Sequence, residues 1–382
     1  MSPFEPLTFS RGPAMKNRFL LAPMTNHQSY EDGRLTEEEI HWLRLRAEGN
    51  FGLVMTGAAH VNKKGKGFPG ELGVFNDELL PGLTLLAGEL RKAGALSSVQ
   101  LYHGGLRSIM PDRVGPSDAP EDRARAMTIE EVRSTIEDFI EGAVRAERAG
   151  FDGVEIHGAH GYLVSEFLSA KYNTRDDDYG GSPTKRRRFL LEIVRGIRRR
   201  CGKNFQLGVR VSPERFGQDV GETCDLLQQL IDEGDTDYLD ISLWDVFKKP
   251  VDPKYQGRNL MSYFTDLNLQ SRVRLGFAGG IGNLDQAVRC LDVGADFVVI
   301  GKAAVVHHDL PRRLARSVTF IPQAFPVTAD YLRKEGLSEP FIRYLATWPN
   351  MVKDYFVPQD VPRFDVEEFF TTGRSVKLAT TA

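Results

Sequence analysis

The chain has 382 residues, of which 41% are hydrophobic and 26% charged, and its formal net charge is −3. This balance is typical of a globular protein and excludes a largely disordered or fibrous chain. A charge so close to neutral provides no overall field that would attract nucleic acid or an anionic membrane surface. The sequence therefore predicts neither a nucleic-acid-binding nor a membrane-bound protein.

The three cysteines indicate a reducing compartment. Cys201, Cys224 and Cys290 are odd in number, far apart and without a C-x-x-C spacing. This favours free thiols over a disulfide framework, a zinc site or an iron–sulfur cluster. No apolar stretch approaches the ~20 residues of a membrane helix, and the N-terminal segment lacks the apolar run of a signal peptide. We therefore expect a cytoplasmic protein.

Eight short apolar runs alternate with helical patterns along the chain. They lie at 19–23, 52–57, 97–102, 151–157, 205–212, 237–242, 273–279 and 296–301. Alternating strands and helices predict a parallel sheet, and eight units predict a closed (β/α)8 TIM barrel. A doubly wound open sheet is the alternative, and eight strands argue against it. We predict an α/β barrel over residues 1–318, followed by an aromatic- and proline-rich C-terminal extension, 319–382, that packs on the barrel or on a partner subunit.

The clearest helix is predicted from Thr128 to Arg148, because Thr128 and Glu131 have the spacing of a capping box and Gly150 marks the end. Another helix opens at Ser182-Pro183, and a last one is expected at 309–318. The spacing of the arginine runs at 184–189 and 196–200 puts them on one solvent-exposed face of a helix. We prefer this interpretation to a nucleic-acid-binding site. The longest predicted loop, 102–128, has a length typical of functional loops.

Polar residues alternate with apolar ones near the ends of three neighbouring strands. Gln100, Glu155, His157 and Arg210 occupy these positions, and side chains alternate across a strand, so all four should point into the barrel. TIM-barrel active sites lie at the C-terminal ends of the strands. We interpret the convergence as a binding site for a polar ligand. The alternative is an internal network in which Glu155 pairs with Arg210 below the site.

Glycines follow the last two strands. Gly279 and Gly280 end the seventh strand, while Gly301 and Lys302 follow the eighth. Open backbone N–H groups at helix starts, together with a cation, predict a phosphate site where barrels commonly place one. Tight turns without a ligand are the alternative interpretation.

The fourth strand is followed by "HGAHGYL", which places His157, His160 and Tyr162 together. We predict no metal here, because no third ligand is evident nearby. Two imidazoles facing one oxygen would polarise a carbonyl or nitro group. Tyr162, a neutral phenol at pH 7, could then donate a proton, although a lone tyrosine is more often a packing residue.

The motifs together resemble the Old Yellow Enzyme family of flavin-dependent ene reductases over roughly residues 3 to 318. The resemblance is carried by "NRFLLAPMT", "VQLYHGG", "GFDGVEIHGAHGYLVSEFLS", "NTRDDDYGGS", "VRVS" and "IGKA". It implies a tightly but non-covalently bound FMN, with NAD(P)H as hydride donor. The implied reaction is ping-pong reduction of the C=C bond of an α,β-unsaturated carbonyl or nitro compound.

The resemblance also implies residue roles. Contacts to the flavin ring fall to Ala22, Pro23, Met24, Thr25, Ala58, Gln100 and Arg210, and contacts to its phosphate to Gly280, Gly301 and Lys302. The substrate would meet His27, His157 and His160, with Tyr162 as proton donor.

The chain departs from the family pattern at several positions. Lys302 stands where arginine is usual, His27 where tyrosine is common, and Thr184-Lys185 where Glu-Asn usually precedes the arginine at 186. Family members that reduce dienoyl-CoA carry cysteines that ligate a cluster; this chain lacks those cysteines, which disfavours that branch. Two rival functions are an aldolase or isomerase with Lys302 as reactive amine, and a non-catalytic barrel that binds flavin or a phosphorylated ligand. The motifs leave open the substrate, the choice between NADH and NADPH, and a homo-oligomeric state.

Overall fold

Eight parallel strands form a closed barrel in the computed structural model, which describes residues 1–359 and 361–365. In chain order, and called strands 1 to 8 below, they are Phe19–Leu21, Leu53–His60, Leu96–Tyr102, Gly153–Gly158, Gln206–Val211, Tyr238–Ser242, Arg274–Ala278 and Phe297–Ile300. Each strand pairs with its neighbours in sequence, and strand 1 closes the ring by pairing with strands 2 and 8. The predicted (β/α)8 TIM barrel is confirmed. Every predicted run overlaps one strand, and the largest disagreement is strand 2, which continues to His60.

Helices surround the barrel and also follow it. Their bounds are Glu37–Glu48, Leu80–Lys92, Ile129–Ala149, Leu163–Leu168, Pro183–Arg200, Val220–Glu233, Ser262–Thr265, Leu284–Asp292, Lys302–Val306, Leu310–Arg316, Ala329–Lys334 and Glu339–Ala346. Short strands lie at Leu72–Gly73, Arg113–Gly115 and Ala124–Ala126. The capping box is confirmed, since the Thr128 side chain accepts from the Glu131 N–H and the Glu131 side chain accepts from the Thr128 N–H. The closing helix predicted at 309–318 is confirmed as Leu310–Arg316, and a short helix at Lys302–Val306, which was not predicted, precedes it.

The apolar core of the barrel has two parts, one on each face of the sheet, as the alternation of side chains requires; a small third cluster, Phe216 and Phe364, lies apart from it. The larger part lies between the strands and the helices and includes Val99, Val154 and Val209. The smaller part fills the lower barrel interior, where Leu20, Leu53, Met55, Tyr238, Phe297 and Val299 pack together, with Leu7 and Met15 in the same cluster. The interior is therefore a packed apolar floor beneath the C-terminal ends of the strands. We call the opening at those ends the mouth of the barrel.

One prediction about the arginine runs is wrong. Arg186 is buried and does not lie on a solvated face. Its Nε donates to the carbonyl of Leu168 at 3.0 Å, Nη1 donates to the carbonyl of Gly181 at 2.6 Å, and Nη2 pairs with Glu222. The carbonyls of Leu168 and Gly181, after strand 4, need hydrogen-bond donors. A planar guanidinium carries five N–H donors and can serve both at once. Arg200 does follow the prediction, because it is half-exposed and pairs with surface carboxylates.

The segment after the barrel returns to its own barrel. Arg46, on helix 37–48 and fully buried, donates to the carbonyls of Glu335 at 2.8 Å and Ala304 at 3.1 Å. The guanidinium also lies 4.4 Å from the Trp42 ring centroid. His308 pairs with the Glu335 carboxylate at 2.6 Å. These contacts fasten helix 329–334 to the barrel; residue 360 and residues 366–382 of the predicted extension lie outside the described part.

All three cysteines are free. Within the described ranges, no helix combines the length and apolarity needed to cross a membrane.

Candidate active site

The predicted site residues meet at the mouth. Ala58 is registered with Gln100, Gln100 with Glu155, and His157 with Arg210, so these side chains come from adjacent strands at one level. The chain leaving strand 1 reaches the same place, because the N–H of Ala22 donates to the Ile300 carbonyl at 3.0 Å. This brings residues 22–25 beside the end of strand 8.

A polar network lies just above the apolar floor. Gln100 Nε2 donates to Glu155 Oε1 at 2.8 Å, and Arg210 Nε lies 3.3 Å from Asp240 Oδ2. All four side chains are buried. The ion-pair partner of Arg210 is thus Asp240, which the sequence analysis did not name, and Glu155 bonds to Gln100. Asp240 stands between Leu239 and Ile241 on strand 6, the same alternation that pointed to Arg210.

The network has unused hydrogen-bonding capacity. Arg210 Nε and Nη1, Glu155 Oε2 and both Asp240 carboxylate oxygens are buried without a hydrogen-bond partner. Burial and the neighbouring Asp240 carboxylate raise the pKa of Glu155, and burial raises the pKa of Asp240 against the opposing effect of Arg210. Buried polar groups are nearly always paired in folded proteins, so these atoms point to a polar ligand above them.

The two histidines are neutral hydrogen-bonding groups. The rings of His157 and His160 meet edge to face at 5.1 Å, and His160 Nε2 lies 2.8 Å from Ser242 Oγ. Burial, followed by the charge of Arg210, lowers the pKa of His157 well below its usual value. Burial and then His157 do the same for His160. Neutral imidazoles each retain one N–H to donate. In the ranges that the structure describes, no three His, Cys, Asp or Glu residues are grouped to hold a metal.

Tyr162 lies directly beside this pair. Its ring meets His157 at 5.2 Å and Tyr102 at 4.7 Å, both edge to face, and the Arg107 guanidinium lies 5.3 Å from its centroid. Burial raises the pKa of Tyr162, so it holds its proton at neutral pH. Tyr102 and Arg107 were not among the predicted site residues, although Arg107 belongs to the long loop that was expected to be functional.

The other side of the mouth forms an open cradle. Gly279 has φ +149°, and a Cβ there would stand 2.7 Å from the Trp244 carbonyl carbon. At Gly280 and Gly301 a Cβ would meet nothing closer than 3.8 Å. Lys302 begins helix 302–306, and its Nζ lies 5.7 Å from the Trp244 ring. Backbone N–H groups and an ammonium around open space suit a phosphate.

An aromatic wall borders the mouth. His27 is stacked between Phe68 at 5.3 Å and Tyr344 at 4.5 Å, and burial lowers its pKa to about 4. Tyr344 belongs to the extension, and its hydroxyl lies beside the side chains of Thr25 and Trp348. Trp348 stacks in turn on Phe364 at 3.6 Å. We call Tyr344, Trp348 and Phe364 the aromatic strap; no sequence motif indicated that they reach the site.

The loop that carries His27 is fixed from below. Glu39, fully buried on helix 37–48, accepts from Asn26 Nδ2 at 2.9 Å and from the Ser29 hydroxyl. Thr36 caps the same helix by accepting from the Glu39 N–H at 3.2 Å. His27 itself has φ +57°, an uncommon conformation that needs such support.

Orphaned donors on Arg210 and an open phosphate cradle share this mouth. They fit a mononucleotide with a polar ring at one end and a phosphate at the other, which is the shape of FMN. Fold and site therefore fit a TIM barrel that binds a flavin at its mouth. The chain belongs to the NADH:flavin oxidoreductase / NADH oxidase family, the Old Yellow Enzyme family, whose model matches residues 2–319.

Individual relatives agree with this assignment. A Bacillus subtilis protein described as a probable NADH-dependent flavin oxidoreductase is 38% identical over 318 residues, covering 79% of this chain and 85% of the relative. An NADH:fumarate oxidoreductase of Klebsiella pneumoniae is 35% identical over 356 residues, covering 88% of this chain but 38% of that protein. The Old Yellow Enzyme homologue of Zymomonas mobilis superposes with a TM-score of 0.75 at 25% identity, covering 90% of this chain and 99% of that one. This protein is thus an NAD(P)H-dependent flavin oxidoreductase with FMN as cofactor, and the aldolase interpretation of Lys302 is set aside.

Proposed function

We propose that this enzyme reduces the C=C bond of α,β-unsaturated carbonyl or nitro compounds, taking its electrons from NAD(P)H in a separate half-reaction. FMN, when bound, supplies hydride transfer in both half-reactions. The observation that carries the proposal is the contact of His157 with both His160 and Tyr162, with ring centroids 5.1 and 5.2 Å apart; burial favours the neutral form of all three rings. These groups can hold an oxygen and deliver a proton at one place.

The residues that would hold FMN divide into two groups. Gln100 and Arg210 would meet the polar edge of the ring, with residues 22–25 and Ala58 against it. Gly279, Gly280, Gly301 and Lys302 would surround the phosphate. The unpaired guanidinium nitrogens of Arg210 support this assignment, because a ligand acceptor would satisfy them.

His157 and His160 are assigned to the substrate oxygen. Each neutral imidazole donates an N–H toward the oxygen and stabilises the negative charge that develops there as the alkene is reduced. A charged imidazolium would be costly at this depth, which agrees with the lowered pKa values.

Tyr162 is assigned to protonation of the substrate. Its O–H bond breaks as a C–H bond forms at the carbon next to the activating group, and a tyrosinate is left. The Arg107 guanidinium, 5.3 Å from the ring centroid, stabilises that anion. His27 and the aromatic strap are proposed to limit the site to flat, compact substrates, which gives the extension from residue 319 a role at the mouth.

The test separates the two half-reactions of the FMN-loaded enzyme. Tyr162→Phe is expected to leave bleaching of the flavin by NADPH unchanged and to slow reoxidation by cyclohexenone ~10²–10⁴-fold. Tyr30→Phe, at a tyrosine that is 54% exposed, is the control and should alter neither rate. Equal rates in Tyr162→Phe and wild type would show that the proton comes from another group.

The same assay compares the rival functions. A protein whose flavin bleaches but is not reoxidised by any enone or nitroalkene would favour the non-catalytic binding role. Fumarate, an unsaturated dicarboxylate, should be tested as a second acceptor, because the similar Klebsiella pneumoniae protein is an NADH:fumarate oxidoreductase. Reoxidation by fumarate alone would move the proposed substrate class from enones to dicarboxylates.

A further inference from the structure

We propose that Tyr162 regains its proton through a buried relay of Tyr102, Glu71 and His60, which begins at a cavity on the far side of the segment 66–71. The inference rests on the proposed function, because it answers how the tyrosinate left by each turnover is reprotonated. The three relay groups have no part in holding the cofactor or the substrate. They lie one after another between Tyr162 and the cavity, with Gly67 between Tyr102 and Glu71.

The first step joins the two tyrosines. The ring of Tyr102 meets that of Tyr162 edge to face, with centroids 4.7 Å apart. Tyr102 is 1% exposed, and its hydroxyl has no hydrogen-bond partner. An unpaired buried hydroxyl is uncommon and destabilising, so it calls for an explanation beyond packing. We attribute the unpaired Tyr102 hydroxyl to a role in passing protons to Tyr162.

The second step passes around Gly67. A Cβ on this glycine would stand 2.1 Å from the Tyr102 hydroxyl, and the Gly67 N–H donates to Glu71 Oε2. The Tyr102 hydroxyl and the Glu71 carboxyl therefore flank the same glycine, which has no side chain to separate them. Glu71 is fully buried, and burial raises its pKa well above the usual value against the opposing charge of Lys66. The raised pKa favours the carboxylic acid form of Glu71, which has a proton to give.

The third step reaches the cavity. Glu71 Oε1 lies 3.8 Å from His60 Nδ1, and neither atom has a hydrogen-bond partner. The imidazole stacks on Phe75 at 5.0 Å and lines an open cavity of about 600 Å³ whose walls also include Lys63 and Lys66. Burial, with the charge of Lys66, lowers the pKa of His60 to about 4, so the ring is neutral. A neutral imidazole can accept a proton at one nitrogen while releasing one from the other.

The transfers balance one proton at a time. Tyrosinate 162 takes the hydroxyl proton of Tyr102, Tyr102 takes the carboxyl proton of Glu71, and Glu71 takes a proton from His60. His60 releases that proton only as its other ring nitrogen takes one from solvent in the cavity, so the ring stays neutral and no imidazolate forms. Every relay group keeps its charge, exchange of the His60 tautomer through solvent resets the relay, and the net change is one solvent proton delivered to Tyr162.

Glu71→Gln is the sharpest variant, because it keeps an oxygen for the N–H groups of Gly67 and Phe68 but cannot pass a proton. The FMN-loaded enzyme starts with Tyr162 protonated, so one turnover of cyclohexenone by prereduced enzyme should run at the wild-type rate. Continuous turnover should fall ~100-fold, the lower end of what a positioned proton-transfer group contributes. Tyrosinate absorbance in the ultraviolet should accumulate during turnover in the variant and not in wild type.

Two further variants exclude a merely structural effect. Glu166→Gln is the matched control: Glu166 is equally buried with a raised pKa and accepts a backbone N–H from Leu106, but it is not among the groups in contact between Tyr162 and the cavity. It should leave both rates unchanged. Tyr102→Phe removes a hydroxyl that makes no hydrogen bond, so it should fold and reproduce the Glu71→Gln behaviour.

The outcomes separate the relay from the proposed function. Reduction of cyclohexenone by the wild-type enzyme in a single turnover tests the proposed function, and it is measured before the variants. Normal continuous turnover in both Glu71→Gln and Tyr102→Phe, without tyrosinate accumulation, would overturn the relay and show that protons enter through the mouth. A loss in the single turnover as large as that in continuous turnover would also overturn it, because Glu71 would then support the site's structure.

Discussion

Replacing Glu39 by alanine is expected to lower the free energy of unfolding by about 3–5 kcal/mol and to weaken substrate binding. Glu39 is 1% exposed and accepts from the side chains of Asn26 and Ser29, on either side of His27. Removing the carboxyl leaves two buried donors unpaired at ~1–3 kcal/mol each, and the lost packing adds to this. Burial raises the pKa of Glu39, so relief of its desolvation offsets part of the sum.

The assay for this prediction has a stability part and a kinetic part. Urea unfolding measures the loss of stability, and the KM for cyclohexenone should rise because His27 loses its fixed position. Glu38→Ala on the same helix is the control, since its exposed carboxyl contributes only ~0.3–1 kcal/mol through the helix dipole. An unchanged KM together with lost stability would refute the argument that Glu39 positions the loop that carries His27.

Three other results follow from the site and the extension. His157 and His160 should contribute no step near pH 6.5 to the pH dependence of the KM for cyclohexenone, because burial holds their pKa values well below 6.5; a rise centred near pH 6.5 would contradict this. Gly279→Ala should yield protein with little bound flavin, because the added Cβ meets backbone at 2.7 Å, whereas Gly257→Ala, with nothing within 4 Å, should purify fully loaded. Arg46→Met should lower the free energy of unfolding by about 3–5 kcal/mol and admit protease near residues 317–328, since the carbonyls of Ala304 and Glu335 lose their donor; equal resistance to protease would show that the extension is held elsewhere.

The barrel and the ring of polar groups could be predicted because their signals are local. Each strand is a short apolar run whose inward positions alternate, and Gln100, Glu155, His157 and Arg210 fall on those positions. Strand ends were less certain, since strand 2 has an irregularity between Met55 and Ala58 and continues to His60. Asp240 carried the same signal and could have been found by it.

Other features depend on contacts between residues far apart in sequence. Nothing around Tyr344 indicates that it stacks on His27, because the contact forms only when the extension folds back over the mouth. Arg186 resembles its neighbours in a basic run, and its burial is decided by the carbonyls of Leu168 and Gly181 and by the Glu222 carboxylate, 36 residues away. Helical periodicity shows which face a residue occupies but not which groups the tertiary structure places opposite it.

The strap has a genetic consequence. Tyr344, Trp348 and Phe364 follow a segment that Arg46 fastens to the barrel of the same chain, so among the described residues each polypeptide supplies these three rings to its own site. Two defective copies, one altered at His157 and the other lacking the strap, should therefore fail to complement each other when produced in one cell. Selection on the tail would act on each copy separately, and changes in acceptor preference could accumulate there while the barrel that holds the cofactor stays the same.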